Sequence, residues 1–79
     1  MKESLEFIIS EILGHQETKI EESVSSSGEI VFLIEPKSED FGRLIGKNGK
    51  IINALRKLIR VKATKEGKRV YLKVQPGSP

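Results

Sequence analysis

The chain has 79 residues, of which 32% are charged, and a formal net charge of +3. This length allows one domain with a small core. Chains of this size often need disulfides or a bound metal for stability, but this one has no cysteine and a single histidine. Its stability must therefore come from the apolar core or from contact with a partner. No apolar run approaches the roughly 20 residues that span a bilayer, and residues 1–6 lack the apolar segment of a signal peptide. We therefore expect a soluble cytoplasmic protein.

An amphipathic helix pattern opens the chain. Apolar residues at helical spacing predict a helix from about Lys2 to Leu13, which Gly14 ends. His15 follows in a polar connection. With no second histidine or cysteine nearby, we expect it to be structural or solvent-exposed and to bind no metal.

Two strand patterns come next. Residues 19–24 alternate weakly between apolar and acidic side chains, which predicts an edge strand with one wet face. After a turn of serines and a glycine, Glu29 to Glu35 contains a continuous apolar run and is the best candidate for the central strand. Pro36 ends it.

The second half of the chain is predicted to hold two helices and a last strand. Ser38 can cap a short helix of about Glu39 to Ile45, and a longer helix is expected from about Gly49 to Ala63. The apolar stripe of the longer helix is expected to be Ile51, Ile52, Leu55, Leu58 and Ile59. The side chains expected to face solvent opposite this stripe are Lys50, Asn53, Lys57 and Arg60. Alternating apolar residues then predict a strand at Val70–Val74.

The order of these elements is helix, strand, strand, helix, loop, helix, strand. It predicts an α+β fold in which three helices cover one face of a three-stranded sheet. Residues 1–75 are expected to form this single domain, and residues 76–79 a disordered tail.

The loop between the last two helices is the most informative stretch. In Ile45-Gly46-Lys47-Asn48-Gly49-Lys50, two glycines bracket a lysine and an asparagine. Glycine takes positive φ at little cost and leaves its amide open to a phosphate oxygen, while the start of the following helix favours anions. The pattern indicates a loop that a nucleic-acid backbone can approach.

Charge is distributed unevenly along the chain. Residues 1–42 contain three basic and ten acidic residues, a net charge of −7, and residues 43–79 contain eleven basic residues and one acidic residue, a net charge of +10. Such a molecule has one side that attracts a polyanion and another that repels it.

A helix, a Gly-x-x-Gly loop and a second helix, with strand patterns on both sides, resemble the KH domain, whose loop clamps about four nucleotides of single-stranded backbone. The extra helix and strand ahead of the loop resemble the type II form, which implies a mixed sheet with one parallel pair. The size of the chain, residues 40–50 and residues 65–70 are similar to the bacterial KhpA family. This resemblance implies a cytoplasmic RNA-binding protein, an RNA chaperone, that pairs with KhpB and serves cell elongation, division and peptidoglycan homeostasis.

In this interpretation the loop and the basic residues around it hold phosphates, while bases lie on an apolar groove with Ile45 and Ile52 in its floor. Ile34 is a further candidate for the floor, although core packing is the favoured role for Ile34 and an equal alternative for Ile45. The residues expected to contact RNA are Arg43, Ile45, Gly46, Lys47, Asn48, Gly49, Lys50, Ile52, Asn53, Lys57 and Arg60. The three phenylalanines, Phe7, Phe32 and Phe41, are expected in the core, which leaves Tyr71 as the one exposed aromatic candidate. We therefore expect weak, salt-sensitive binding with low sequence preference.

Other functions receive less support from the sequence. The chain has neither a G-x-x-x-x-G-K-[ST] nor a G-x-G-x-x-G motif, and it lacks cysteine, so we expect no enzyme, no cofactor and no small-molecule substrate. A module for protein interaction, through a homodimer or a KhpB-like partner, is the main alternative. Single-stranded DNA is a further candidate ligand.

Overall fold

A computed structural model describes residues 1–77 and contains three α-helices and three β-strands. The helices are α1 (Lys2–Leu13), α2 (Ser38–Ile45) and α3 (Lys50–Lys65), and the strands are β1 (Lys19–Val24), β2 (Ile30–Glu35) and β3 (Val70–Val74). A short 3₁₀ turn, Lys47–Gly49, joins α2 to α3. The predicted element order is confirmed.

The sheet has the order β1-β2-β3, with the apolar strand β2 in the centre. Strands β1 and β2 are antiparallel, with Ile20 opposite Ile34, whereas β2 and β3 are parallel, with Phe32 opposite Leu72. A parallel pair needs a long crossover, and α2, the turn and α3 supply it. The mixed sheet with β1 at one edge is therefore as predicted.

One face of the sheet carries the core. Phe32 and Ile34 alternate along β2 on the side that faces the helices, and both are completely buried. Leu72 of β3 is also buried, and the helices contribute most of the other large buried side chains, which are Leu5, Ile9, Leu13, Leu44, Ile52, Leu55 and Ile59. The α+β arrangement of helices over one face of a three-stranded sheet is confirmed.

Two details at the helix ends differ from the prediction. Ser38 is the first residue of α2 and makes no capping hydrogen bond, because the cap position belongs to Lys37, whose carbonyl accepts the amides of Asp40 (2.8 Å) and Phe41 (3.0 Å). Helix α3 begins at Lys50, not at Gly49, and continues beyond Ala63 to Lys65.

Two apolar side chains expected in the core lie on the surface. Phe7 is 65% exposed and Leu58 is 59% exposed. Phe7 lies half a helical turn from the buried stripe of Leu5 and Ile9, so the period of 3.6 residues itself directs it outward. Among the other phenylalanines, Phe32 is buried as expected and Phe41 is half-buried.

The end of the chain runs alongside β2. The amide of Gln75 donates to the carbonyl of Ile34 (3.1 Å), and that of Gly77 donates to the carbonyl of Pro36 (2.8 Å). Ser78 and Pro79, the second half of the predicted disordered tail, lie outside the described residues.

Within residues 1–77, none of the helices is long and apolar enough to cross a membrane. The same part of the chain holds no group of three His, Cys, Asp or Glu side chains that could bind a metal ion.

Candidate nucleic-acid interface

Gly46 ends α2 in a conformation that requires glycine. Its φ is +78°, and a Cβ at this position would lie 2.7 Å from Cγ1 of Ile51. The amide of Gly46 donates to the carbonyl of Gly42 (2.9 Å), so the last turn of α2 is closed before the chain turns. Both the backbone angle and the close approach of Ile51 exclude a larger residue without a local shift.

The turn after Gly46 presents its two central side chains to solvent. Lys47 and Asn48 are exposed, and Asn48 has φ +56°, the left-handed region that asparagine tolerates better than most residues. Gly49 follows with φ +75°, and its amide donates to the carbonyl of Gly46 (3.1 Å). This tight turn aims the start of α3 at the same surface as Lys47.

A row of exposed polar side chains continues from the loop along α3. Lys50, Asn53, Lys57 and Arg60 follow at intervals of three and four residues, and all four are exposed. The ten helical steps from Lys50 to Arg60 cover about 15 Å of helix. The prediction that these residues face solvent together is confirmed, whereas their contact with RNA stays a prediction.

Arg43 belongs to the same surface but also forms an ion pair with Asp40. It lies on the last turn of α2 with its side chain 59% exposed, and its Nη1 is 3.7 Å from Oδ1 of Asp40.

The other oxygen of Asp40, Oδ2, is 2.7 Å from Nε2 of His15. His15 Nδ1 accepts the amide hydrogen of Glu17 (3.1 Å), so the ring proton lies on Nε2 and is donated to Asp40. Asp40 is 5% exposed, and this pair fastens α2 to the connection between α1 and β1.

The apolar floor of the expected groove differs from the prediction. Ile34 is completely buried beneath the helices, so it cannot meet a base, and the alternative of core packing holds for this residue. Ile52 is 4% exposed and belongs to the core. Ile45 is half-buried at the edge of that core and remains a candidate contact.

An open groove of ≈ 220 Å³ instead lies between α3 and the edge strand β3. Its lining residues are Arg56, Ile59, Arg60, Val70, Tyr71 and Leu72. Tyr71 is 50% exposed, as expected, although Phe7 is a second exposed aromatic side chain. Because β3 pairs only with β2 among residues 1–77, its outer edge leaves backbone groups unpaired beside this groove in that part of the chain.

Arg56 also lies on this surface, although it is not among the residues predicted from the sequence to contact RNA. Its Nη1 donates to Oδ1 of Asn53 (3.4 Å), and Asn53 lies under the loop, where its Nδ2 would be 3.5 Å from a Cβ at Gly49. A signal was present: Arg56 and Arg60 are four residues apart and share one face of the helix.

The acidic strand β1 is held apart from this surface by the order of the strands, whereas Glu29 of the same half of the chain reaches it, because the Tyr71 hydroxyl donates to its Oε2 (3.2 Å). Glu21 and Glu22 lie on β1, and the central strand separates them from β3. At the start of α2, Lys37 Nζ donates to Oε2 of Glu17 (2.8 Å), and this hydrogen bond lowers the pKa of Glu17 and raises the pKa of Lys37.

Comparison with known proteins agrees with the geometry of the loop and the sheet. Residues 2–74 match the family model of the KhpA/KhpB KH domain. The chain is 32% identical to the RNA-binding protein KhpA of Clostridium acetobutylicum and 28% identical to that of Oceanobacillus iheyensis, in both cases over 94% of this chain and 99% of the relative. It is 38% identical to KhpA of Caldanaerobacter subterraneus over 84% of this chain and 72% of the relative.

No solved structure matches the chain. The family model covers nearly the whole chain, and the relatives are matched over most of their own length. The chain therefore belongs to the KhpA/KhpB family of KH domains.

Proposed function

We propose that this protein binds single-stranded RNA and grips its backbone with the loop of residues 46–49. The observation that carries the proposal is a glycine-bounded turn that opens α3 and continues into an exposed row of basic side chains. Its relatives are named as RNA-binding proteins, which supports the same conclusion.

In this mechanism phosphates meet the loop first. Gly46 and Gly49 let the backbone come close, and Lys47 and Lys50 supply mobile positive charge beside the first amides of α3. Arg43 extends the contact on the side of α2, although Asp40 neutralises part of its charge.

Bases would then turn away from the phosphates towards the groove between α3 and β3. Arg56 and Arg60 offer planar guanidinium groups on which bases stack, and the backbone edge of β3 offers hydrogen-bond partners. Tyr71 supplies one aromatic side chain where dedicated single-strand binders have several, and each stacked base is worth roughly 1–3 kcal/mol. We therefore expect modest affinity with low base preference.

The salt dependence of binding follows from the number of phosphates neutralised. Contact with three or four phosphates implies a slope of roughly −2 to −3 in a plot of log K against log salt, at about −0.7 per contact for single strands. A slope near zero would contradict an electrostatic grip on the backbone.

A double substitution in the loop tests the site. Lys47→Asp with Asn48→Asp places negative charge where phosphates should bind, and aspartate keeps the left-handed conformation of residue 48 accessible. We expect fluorescence anisotropy with labelled single-stranded RNA to show loss of binding and unfolding experiments to show unchanged stability. The matched control, Lys19→Asp with Ser26→Asp, makes the same charge change at exposed positions remote in sequence from the loop and should weaken RNA binding far less. Equal loss in both variants would remove the loop from the proposal.

The family resemblance supports finer roles for the protein. We propose that it acts as an RNA chaperone in the cytoplasm, with a KhpB-like partner, in cell elongation, division and peptidoglycan homeostasis. Acceleration of the annealing of two complementary RNA strands would test the first of these roles, and the loop variant is its control. Parallel titration with single-stranded DNA of the same sequence tests the preference for RNA, because the two ligands share the same phosphates.

Self-association is a second candidate function, and the surface of α3 favours it. Leu58 and Val61 are 59% and 58% exposed and lie side by side beside Ala54. Such a stripe on a small domain is typical of a surface that contacts another protein. A dimer would present two loops and gain avidity for a single RNA.

A further inference from the structure

Strand β1 is an edge of the sheet, and its outer side has room for another strand. Among residues 1–77 it pairs only with β2. The amide of Ser25 donates to the carbonyl of Glu29 (2.8 Å), so these two residues form a hydrogen-bonded pair next to the turn. Because hydrogen-bonded and non-hydrogen-bonded pairs alternate along an antiparallel ladder, the backbone N–H and C=O groups of Ile20, Glu22 and Val24 point outward.

The helices leave one corner of the sheet uncovered beside this edge. Glu22 lies opposite the buried Phe32, so its side chain is on the face of the sheet that carries the helices, and Val24 follows on the same face. Val24 is nevertheless 64% exposed, and Glu22 is exposed as well. A strand added to β1 would therefore direct every second side chain onto this corner.

A cleft of ≈ 320 Å³ opens between α1 and the start of the same edge. Phe7 of α1 and Ile20 of β1 give it apolar walls, and Glu3 and Glu6 supply carboxylates. Phe7 and both glutamates are exposed. Glu22 lies two residues beyond Ile20, about 7 Å further along the strand on the same face. The cleft and the edge together offer apolar surface within reach of several negative charges.

We propose that this edge and this cleft bind a basic strand of a partner protein. The partner's backbone pairs with the outward groups of β1, which extends the sheet by one strand. Its inward lysine or arginine side chains lay their methylene stems on Phe7 and Ile20 and hold their charges near Glu6 and Glu22. Because β2 separates β1 from β3, this contact does not depend on RNA binding.

Charge selects the partner. Residues 1–42 have a net charge of −7, so this side of the molecule repels a nucleic-acid strand. A second copy is also disfavoured, because pairing of β1 with β1 would gather Glu21 and Glu22 of both copies at one edge. The one lysine of β1, Lys19, already forms an ion pair with Glu21, with its Nζ 3.0 Å from Oε1. A cationic strand meets neither obstacle.

Two synthetic peptides test the charge of the partner. The basic probe, TRTRTRT, alternates arginine with threonine, and the acidic control, TETETET, has glutamate at the same places. Each peptide carries its charged side chains on one face, whichever way the strand runs. We expect NMR titration of isotope-labelled protein to show saturable binding of the basic probe and a dissociation constant at least about tenfold larger for the acidic control.

Hydrogen exchange shows whether the probe adds as a strand. With the basic probe at about ten times its dissociation constant, the outward amides of Ile20, Glu22 and Val24 should exchange about tenfold more slowly. The amides of Glu21 and Ser23 point towards β2 and should not change. This alternation distinguishes strand pairing from ion pairs between side chains alone.

Two variants with the same change in net charge locate the site. Glu6→Gln with Glu22→Gln removes carboxylates beside the cleft and the edge, whereas Glu39→Gln with Glu66→Gln removes carboxylates elsewhere. All four positions are exposed, so thermal unfolding should show both variants folded. We expect the first variant to weaken binding of the basic probe by about fivefold and the second by less than about twofold.

Four results would overturn the proposal. The first two are no saturable binding of the basic probe at up to about 2 mM and equal affinity for the two peptides. The third is equal weakening by the two variants. The fourth is binding of the basic probe that leaves exchange at Ile20, Glu22 and Val24 unchanged.

Discussion

The smallest feature on which the loop depends is the missing side chain of Gly46. Gly46→Ala combines an unfavourable positive φ with a Cβ 2.7 Å from Ile51 Cγ1. We expect it to lower the free energy of unfolding by about 1–3 kcal/mol, measured by urea titration, and to weaken RNA binding by displacing Ile51 or the turn.

The neighbouring glycine of α2 provides a matched comparison. Gly42 lies inside the helix, has no positive φ, and a Cβ there would meet nothing within 4 Å. Gly42→Ala should therefore raise the free energy of unfolding by about 0.5–1 kcal/mol, because alanine favours the helix. Equal effects of the two substitutions would show that the geometry of Gly46 is unimportant.

At the scale of the element, helix α2 is anchored by the buried side chain of Asp40, which lies six residues before the loop. His15→Ala would leave the carboxylate of Asp40 without its hydrogen-bond donor in a site that is 5% exposed. We expect a loss of about 1–3 kcal/mol, which for a domain of this size is a fall in Tm of several degrees. His15→Gln retains a donor and should recover part of the loss. If the alanine variant melts like wild type, the contact does not stabilise α2.

The ion pair at the start of α2 gives that element a pH dependence. The hydrogen bond from Lys37 holds the pKa of Glu17 below its ordinary value of 4.5, so the pair stabilises the fold above that pH and the contribution is lost as the pH falls through the lowered pKa. Glu17→Gln should therefore lower Tm slightly at pH 7 and leave it unchanged at pH 2. Both side chains are exposed, so the difference should also shrink in high salt.

Elements proved easier to predict than surfaces. The helical period and the apolar run of β2 predict every helix and strand, since these signals are local. The exposure of Leu58 was not predicted because this residue extends the apolar face of α3 beyond the stripe that packs on the sheet, whereas the helical period alone is enough to direct Phe7 outward. The position of the groove was predicted wrongly because it depends on the packing of β3 beside α3. That tertiary contact cannot be inferred from local sequence patterns.

At the scale of the whole molecule, charge is sorted by position in the sheet. The acidic strand β1 forms one edge, β3 with Lys73 forms the other, and the basic helix α3 packs beside β3. An RNA strand should therefore be repelled from the β1 side and drawn to the α3 side. Lys57→Gln with Arg60→Gln should flatten the salt slope of RNA binding by roughly 1.4, whereas Lys2→Gln with Lys19→Gln should leave it unchanged. Equal slopes in the two variants would contradict a one-sided interface.

The parallel pairing of β2 with β3 also has a kinetic consequence. Strands β1 and β2 are joined by a short turn and can pair locally, whereas Ile30 meets Val70 only after the long segment between them has closed. That segment contains both the Gly-x-x-Gly turn and α3. We expect formation of the β2–β3 pair to limit the folding rate, so an early hairpin of β1 and β2 would exist before any groove does. A nascent or partly unfolded chain would therefore be unable to hold RNA, and binding would report on completed folding.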